Sequence, residues 1–288
     1  MINKQIKQAA SADQSVTNEE VRIKGTEQIA MYSRTGQQYQ IFISKPAAAP
    51  PFSGYPVVYL LDANSVFGTM VEAVRLQSNR SEKTGVVPAV IVGIGYPTDA
   101  PFSSSRYYDF TMPVPLKELP ARPDGTPWPQ HGGAEHFLTF IEEELKPGIE
   151  KRFKIDKSRE TLFGHSLGGL FVLQTLFTKP ALFQTYIAGS PSIHWNKTFF
   201  WEKEKQLDSQ LNNQNLNVEL FLGVGELEKS HKSRMNDHAL ELSRKLAALE
   251  NTRLRVEFKE FEGEGHVSVL PPLINRALRF ALSPNSLK

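Results

Sequence analysis

The sequence predicts an α/β fold, with a mostly parallel central sheet and helices on both faces. Three observations carry that prediction. Residues 57–61, 86–95 and 218–224 are continuous apolar runs, the pattern of strands buried on both faces of a parallel sheet. Segments of helical spacing, about ten to fifteen residues long, alternate with such runs, which is the rhythm of βαβ units. Finally, Thr161-Leu162-Phe163 leads through Gly164-His165-Ser166-Leu167-Gly168 directly into an apolar helical run ending near Phe177. A strand, a Gly-x-Ser-x-Gly turn and a helix form the context of a nucleophile elbow, in which a strained turn exposes the serine hydroxyl.

In chain order, residues 1–18 are polar and predict a flexible segment, followed by a single domain over 19–288. Residues 21–31 and 39–44 alternate as strands and are expected to pair antiparallel around a turn at Arg34-Thr35-Gly36. The proline-rich stretch 46–56 is a surface loop. After strand 57–61 comes a helix with apolar positions Val66, Met70, Val71 and Val74. Residues 96–130 hold eight of the nineteen prolines and show no period. So long an irregular stretch in a compact domain is usually functional, and it is expected to cover the sheet edge where Ser166 emerges. Residues 133–152 predict one long amphipathic helix. Further strands are expected at 185–188, 218–224 and 254–261. Helices are expected at 199–211, 238–250 and 271–282.

Composition narrows the function. With 33 basic and 31 acidic residues, the chain carries a net charge of +2 and no basic stripe, which argues against a nucleic-acid footprint. The absence of cysteine excludes disulfides, thiol nucleophiles and thiolate metal sites. No apolar run approaches membrane-spanning length. The polar start shows no leader peptide, so a cytoplasmic location is expected, or a periplasmic one if a leader has been removed.

In a parallel sheet the active site lies at the carboxyl ends of the strands. Asp62, Gly95, Ser166, Ser190, Glu228 and His266 all follow strands at that edge. A serine hydroxyl needs an adjacent base. Of seven histidines, His266 lies in a glycine-flanked loop after the last strand, where the order serine, acid, histidine puts the base. Glu228, three residues after Gly225, is the favoured acid; Glu226 and a two-residue Ser-His site are the alternatives. The backbone N–H groups of Leu167 and Asn64 are the expected oxyanion donors. Arg106 either clamps a polar substrate group or pairs with Asp109. Trp195 and Trp128 either wall the pocket or pack the covering segment, and His194 is a further lining candidate. No spacing implies a metal or an organic cofactor.

Tyr55-Pro56-Val57-Val58-Tyr59-Leu60-Leu61-Asp62, Arg106 with Asp109-Phe110-Thr111, Gly132-Gly133-Ala134-Glu135-His136-Phe137-Leu138, the elbow and Ser190-Pro191-Ser192 recur together in one known group. The chain resembles the esterase branch of the α/β-hydrolases over residues 20–282. That branch includes enterobactin, salmochelin and bacillibactin trilactone esterases, with esterase D and the mycolyltransferases as cousins. The resemblance implies an α/β-hydrolase fold and hydrolysis of ester bonds, with Ser166 as nucleophile and His266 as base. It implies a small-molecule ester substrate, such as a ferric catecholate siderophore, and aromatic contact from His194-Trp195. Other expectations are a short-chain esterase or thioesterase of esterase D type, or an inactive binding scaffold; on every reading the chain is expected to be a monomer or homodimer.

Overall fold

The structure is a computed structural model and describes residues 20–115, 119, 122 and 125–283. The expected flexible segment 1–18 lies outside the described residues. The elements in order are β1 (Thr26–Tyr32), β2 (Gln38–Ser44), β3 (Tyr55–Leu60), α1 (Ala63–Ser78), α2 (Ser81–Thr84), β4 (Val90–Gly95) and α3 (Arg106–Asp109). There follow α4 (Ala134–Phe140), α5 (Lys146–Arg152), β5 (Ile155–His165), α6 (Leu167–Thr178), β6 (Thr185–Gly189) and α7 (Lys197–Asn213). The chain closes with β7 (Val218–Gly225), α8 (Met235–Ala247), β8 (Leu254–Phe261) and α9 (Leu270–Leu282).

The eight strands form one sheet in the order β1-β2-β4-β3-β5-β6-β7-β8. β1 pairs antiparallel with β2, and β2 with β4; every later pairing is parallel. The period-two rule divides the inner strands between two cores. Val57, Tyr59 and Leu61 face one side, where α4, α5, α6, α7 and α8 pack; Val58 and Leu60 face α1 and α9. Residues 167–177 of α6 are all buried, as expected of a helix apolar all round. No helix among the described residues is long and apolar enough to cross a membrane.

Several boundaries differ from the sequence expectation. The first strand begins at Thr26 rather than Val21, and the second inner strand at Val90 rather than Val86. Helix α8 begins at Met235, three residues early, and ends at Ala247. The single helix expected over 133–152 is α4 and α5 joined through a π-helical turn, Ile141–Leu145. Pro147 lies just beyond that turn; it lacks an N–H, and its ring disfavours the normal carbonyl four residues earlier. Within 96–130, α3 adds one turn that periodicity did not reveal.

Candidate active site

Ser166 joins β5 to α6 with φ 59° and ψ −117°, the strained backbone an elbow requires. Its N–H donates to the Gly189 carbonyl at 2.9 Å, and its carbonyl accepts from Leu170 and Ser192 N–H. A Cβ on Gly164 would lie 2.3 Å from the Gly168 carbonyl oxygen. On Gly168 it would meet nothing nearer than Asp62 Oδ2 at 3.4 Å, whereas on Gly169 it would lie 2.6 Å from the Gly189 carbonyl. The position closed to a side chain after the serine is therefore Gly169 rather than the second glycine of the motif.

His266 Nε2 lies 3.1 Å from Ser166 Oγ, and His266 Nδ1 lies 2.8 Å from Glu228 Oε2. The second carboxylate oxygen of Glu228 accepts from Ser190 Oγ at 2.6 Å and from the Gly225 N–H at 2.8 Å. Burial opposes charge on Glu228, but the bonds from His266, Ser190 and Gly225 outweigh it and hold the carboxyl below its ordinary range. Glu226 stands outside this chain: its carboxylate accepts the Gly263 N–H and closes the histidine loop from its exposed side. The loops are also joined by Leu227 N–H to the Glu264 carbonyl, so tightly that a Cβ on Gly225 would lie 2.4 Å from that oxygen. In the sequence Ser190 was legible as a strand-end residue and as part of the Ser190-Pro191-Ser192 motif; its φ of 37° and its bond to Glu228 belong to the folded site.

A cavity of about 480 Å³ opens over Ser166. Its lining includes Arg106, Tyr107, Trp128, Leu167, His194 and Trp195, so the covering segment and the Ile193–Trp195 turn both reach the serine. Trp128 and Trp195 meet edge to face with centroids 4.8 Å apart, each ring both walling the cavity and packing the other. Tyr108 and Asp109 instead line a separate cavity beside Tyr39. Leu227, Ser230, His231, Ser233 and Met235 complete the wall around Ser166, and nothing periodic in their sequence pointed there.

Arg106 does not pair with Asp109. Its Nε and Nη2 donate to the two oxygens of Asp62, each at 2.8 Å, while Asp109 accepts from Tyr96 Oη at 2.9 Å. Burial drives Asp109 up to about 6 despite the hydrogen bonds from Tyr96 and Tyr39. For Arg106 burial works against the charge, and Asp62 outweighs it, leaving the guanidinium above its ordinary value. Leu167 and Asn64 are the first and second residues of their helices, and first-turn N–H groups have no intrahelical acceptor. The Asn64 side chain turns elsewhere, accepting from Tyr96 N–H and donating to the Tyr96 and Thr98 carbonyls.

His165 is buried with its ring centroid 4.6 Å from that of His266. Burial first, then the neighbouring His266, pushes it down to about 3, so it stays neutral. His194 is pushed down to about 4, chiefly by burial and then by His238, His231 and His266. Among the described residues no group of three or more His, Cys, Asp or Glu could hold a metal ion.

This sheet, with its elbow serine and acid-histidine loops at one edge, defines an α/β-hydrolase. Residues 33–271 match the model of the family described as "Putative esterase". The chain is 62% identical over 270 residues to the ferri-bacillibactin esterase BesA of Bacillus subtilis, covering 93% of each. It is 38% identical to a siderophore enterobactin esterase of Emericella nidulans, covering 77% of this chain and 80% of that one. The crystal structure of the BES protein from Bacillus cereus superimposes with a TM-score of 0.87 at 51% identity, covering 93% and 99%. The chain belongs to this esterase family and is an ester-hydrolysing enzyme.

Proposed function

We propose that the enzyme is a serine esterase working through an acyl-enzyme, and that its substrate is the trilactone backbone of a catecholate siderophore. The observation that carries the mechanism is the hydrogen-bonded series Glu228, His266, Ser166. The substrate reading rests on the relatives, named as esterases of bacillibactin and enterobactin. Ser166 Oγ attacks the ester carbonyl carbon and gives its proton to His266 Nε2. Glu228, through Nδ1, keeps the ring in the tautomer that leaves Nε2 free to accept, and it stabilises the resulting cation. The amides of Leu167 and Asn64 receive the oxyanion.

Collapse breaks the ester C–O bond, and the leaving alkoxide takes the proton from His266. Water then attacks the acyl-enzyme, loses a proton to His266, and releases the carboxylic acid as Ser166 regains its proton. In a cyclic trilactone the first turnover opens the ring without losing a fragment; further turnovers release monomers. Iron enters only as part of the substrate.

The test is hydrolysis of ferric and iron-free trilactone siderophores beside p-nitrophenyl butyrate, using the wild type and Ser166→Ala. Trilactone cleavage outpacing butyrate, with both abolished by Ser166→Ala, is the expected result. Rapid butyrate turnover with the trilactone intact would sink the substrate; full activity in Ser166→Ala would sink the mechanism.

A further inference from the structure

We infer that the buried Asp62–Arg106 ion pair is a positioning clamp for the oxyanion hole, binding the covering segment to both arms of that hole. The inference rests on the acyl-enzyme reading above. Asp62 caps α1 in the left-handed region, φ 52° and ψ 41°, two residues before the Asn64 amide. Its carboxylate Oδ2 is the nearest group to the Cβ position of Gly168, the residue after the Leu167 donor. Arg106 engages both carboxylate oxygens, and its Nη2 also reaches the His165 carbonyl at 3.5 Å, directly before the nucleophile. One ion pair therefore joins the start of α1, the residue before the elbow serine and the turn α3, and lies beside Gly168.

Its geometry leaves little freedom. The guanidinium carbon sits 5.3 Å from the Phe102 ring centroid and 5.5 Å from that of Phe110. The side chains of Arg106 and Asp62 are 10% and 5% exposed, so solvent screens the pair weakly. With its Nε and Nη2 spent on Asp62 and its charge balanced there, Arg106 is ill suited to hold an anionic substrate. It is suited to fix where Asp62 sits, and hence where α1 presents the Asn64 N–H. Lysine cannot reproduce this, because a point charge does not offer two parallel donors to one carboxylate.

The test compares wild type, Arg106→Lys and Asp62→Asn on p-nitrophenyl butyrate, a small neutral ester, with kcat expressed per serine titrated by a fluorophosphonate. Inhibition by an alkyl boronic acid, which forms a tetrahedral adduct, reports the oxyanion site directly. Loss of one oxyanion donor costs about 10²–10³ in kcat, and displacement of one is expected to cost about 10–100-fold. Both variants should show that fall with KM within about threefold, and the boronic acid should weaken in step. A normal kcat per titrated serine with a lower Tm would make the pair merely structural and overturn the clamp. A raised KM with normal kcat would make Arg106 a substrate contact and overturn it equally. A wild type that the fluorophosphonate does not label fails earlier, at the serine mechanism itself.

Discussion

The enzyme buries two ion pairs of opposite consequence. Asp62–Arg106 lies at the carboxyl ends of the strands, and Lys146–Glu160 lies toward the other end of the sheet. Glu160 precedes His165 by five residues of β5, roughly 16 Å of strand. Lys146 Nζ reaches Glu160 Oε2 and the Leu182 carbonyl, each at 2.7 Å, and lies 4.6 Å from the Phe183 ring centroid. That pair ties α5 to the sheet and touches nothing at the site. The arginine fork holds two oxygens and three chain segments in register; the lysine is a point charge in a packed interior. Burial is common to both. What differs is geometry, and on the clamp reading a buried charge contributes to catalysis only where it fixes reacting groups.

The largest effect should come from the catalytic end. In Glu228→Gln the amide can donate to His266 Nδ1, which traps the proton on Nε2 and leaves no acceptor for the serine proton. A fall of about 10⁴ in kcat with little change in Tm is expected from steady-state rates and thermal melts. A loss below tenfold would place the acid elsewhere and dissolve the contrast between the two ends.

Lys146→Met should do the reverse. It strands Glu160 in the interior, and breaking a buried pair from one side typically costs about 3–5 kcal/mol of stability. Chemical denaturation should register that loss while kcat per titrated serine stays within about twofold of wild type. A fall in kcat would mean that the far pair also positions the site.

Acid should act on the buried groups with opposite signs. His165 and His194, near 3 and 4 in the folded enzyme, are held below the unfolded histidine value of about 6.5. The unfolded chain then binds more protons below pH 6.5, so their contribution to stability is lost as pH falls from about 6.5 toward 4. Asp109, raised to about 6, works oppositely, as does Glu160, which burial raises against the pull of Lys146. Setting the histidines against Asp109 leaves a net loss of about 4 kcal/mol by pH 4, at about 1.4 kcal/mol per unit for each group. Melts at pH 7, 5.5 and 4 should show it, and His194→Asn should remove most of the slope, because His165 and Asp109 then nearly cancel; an unchanged slope would remove His194 from the account.

Much of this was legible in the sequence, for physical reasons that also mark where legibility stopped. Continuous apolar runs read as inner strands because a parallel sheet buries both faces, and Ser166, Glu228 and His266 fell at one edge because topology puts strand ends together. Spacing after Gly225 favoured Glu228 over Glu226 but left both open. The turn at Glu226–Ser230 aims one carboxylate at His266 and the other at Gly263, and only backbone geometry decides that. Arg106 was read either as a clamp on a polar substrate group or as a partner of Asp109, yet its partner lies 44 residues away, where no local pattern reports it. The π-helical turn before Pro147 was hidden because a helical period survives a single wide turn.

The smallest expected effect sharpens the comparison most. Replacing both members of the far pair, as Lys146→Met with Glu160→Leu, removes two desolvated charges together, and such exchanges are often neutral or stabilising. The double variant should recover most of the stability lost in Lys146→Met, ending within about 1 kcal/mol of wild type after the Leu182 carbonyl loses its donor. The same operation at the catalytic end, Arg106→Met with Asp62→Leu, should recover stability only in part, because leucine is strained in the left-handed backbone at position 62. Its kcat should stay low, because apolar packing supplies no fork to hold α1 against the elbow. Recovery of both stability and kcat at the catalytic end would reduce the two pairs to one kind; recovery of stability alone would separate holding the fold from holding the oxyanion donors.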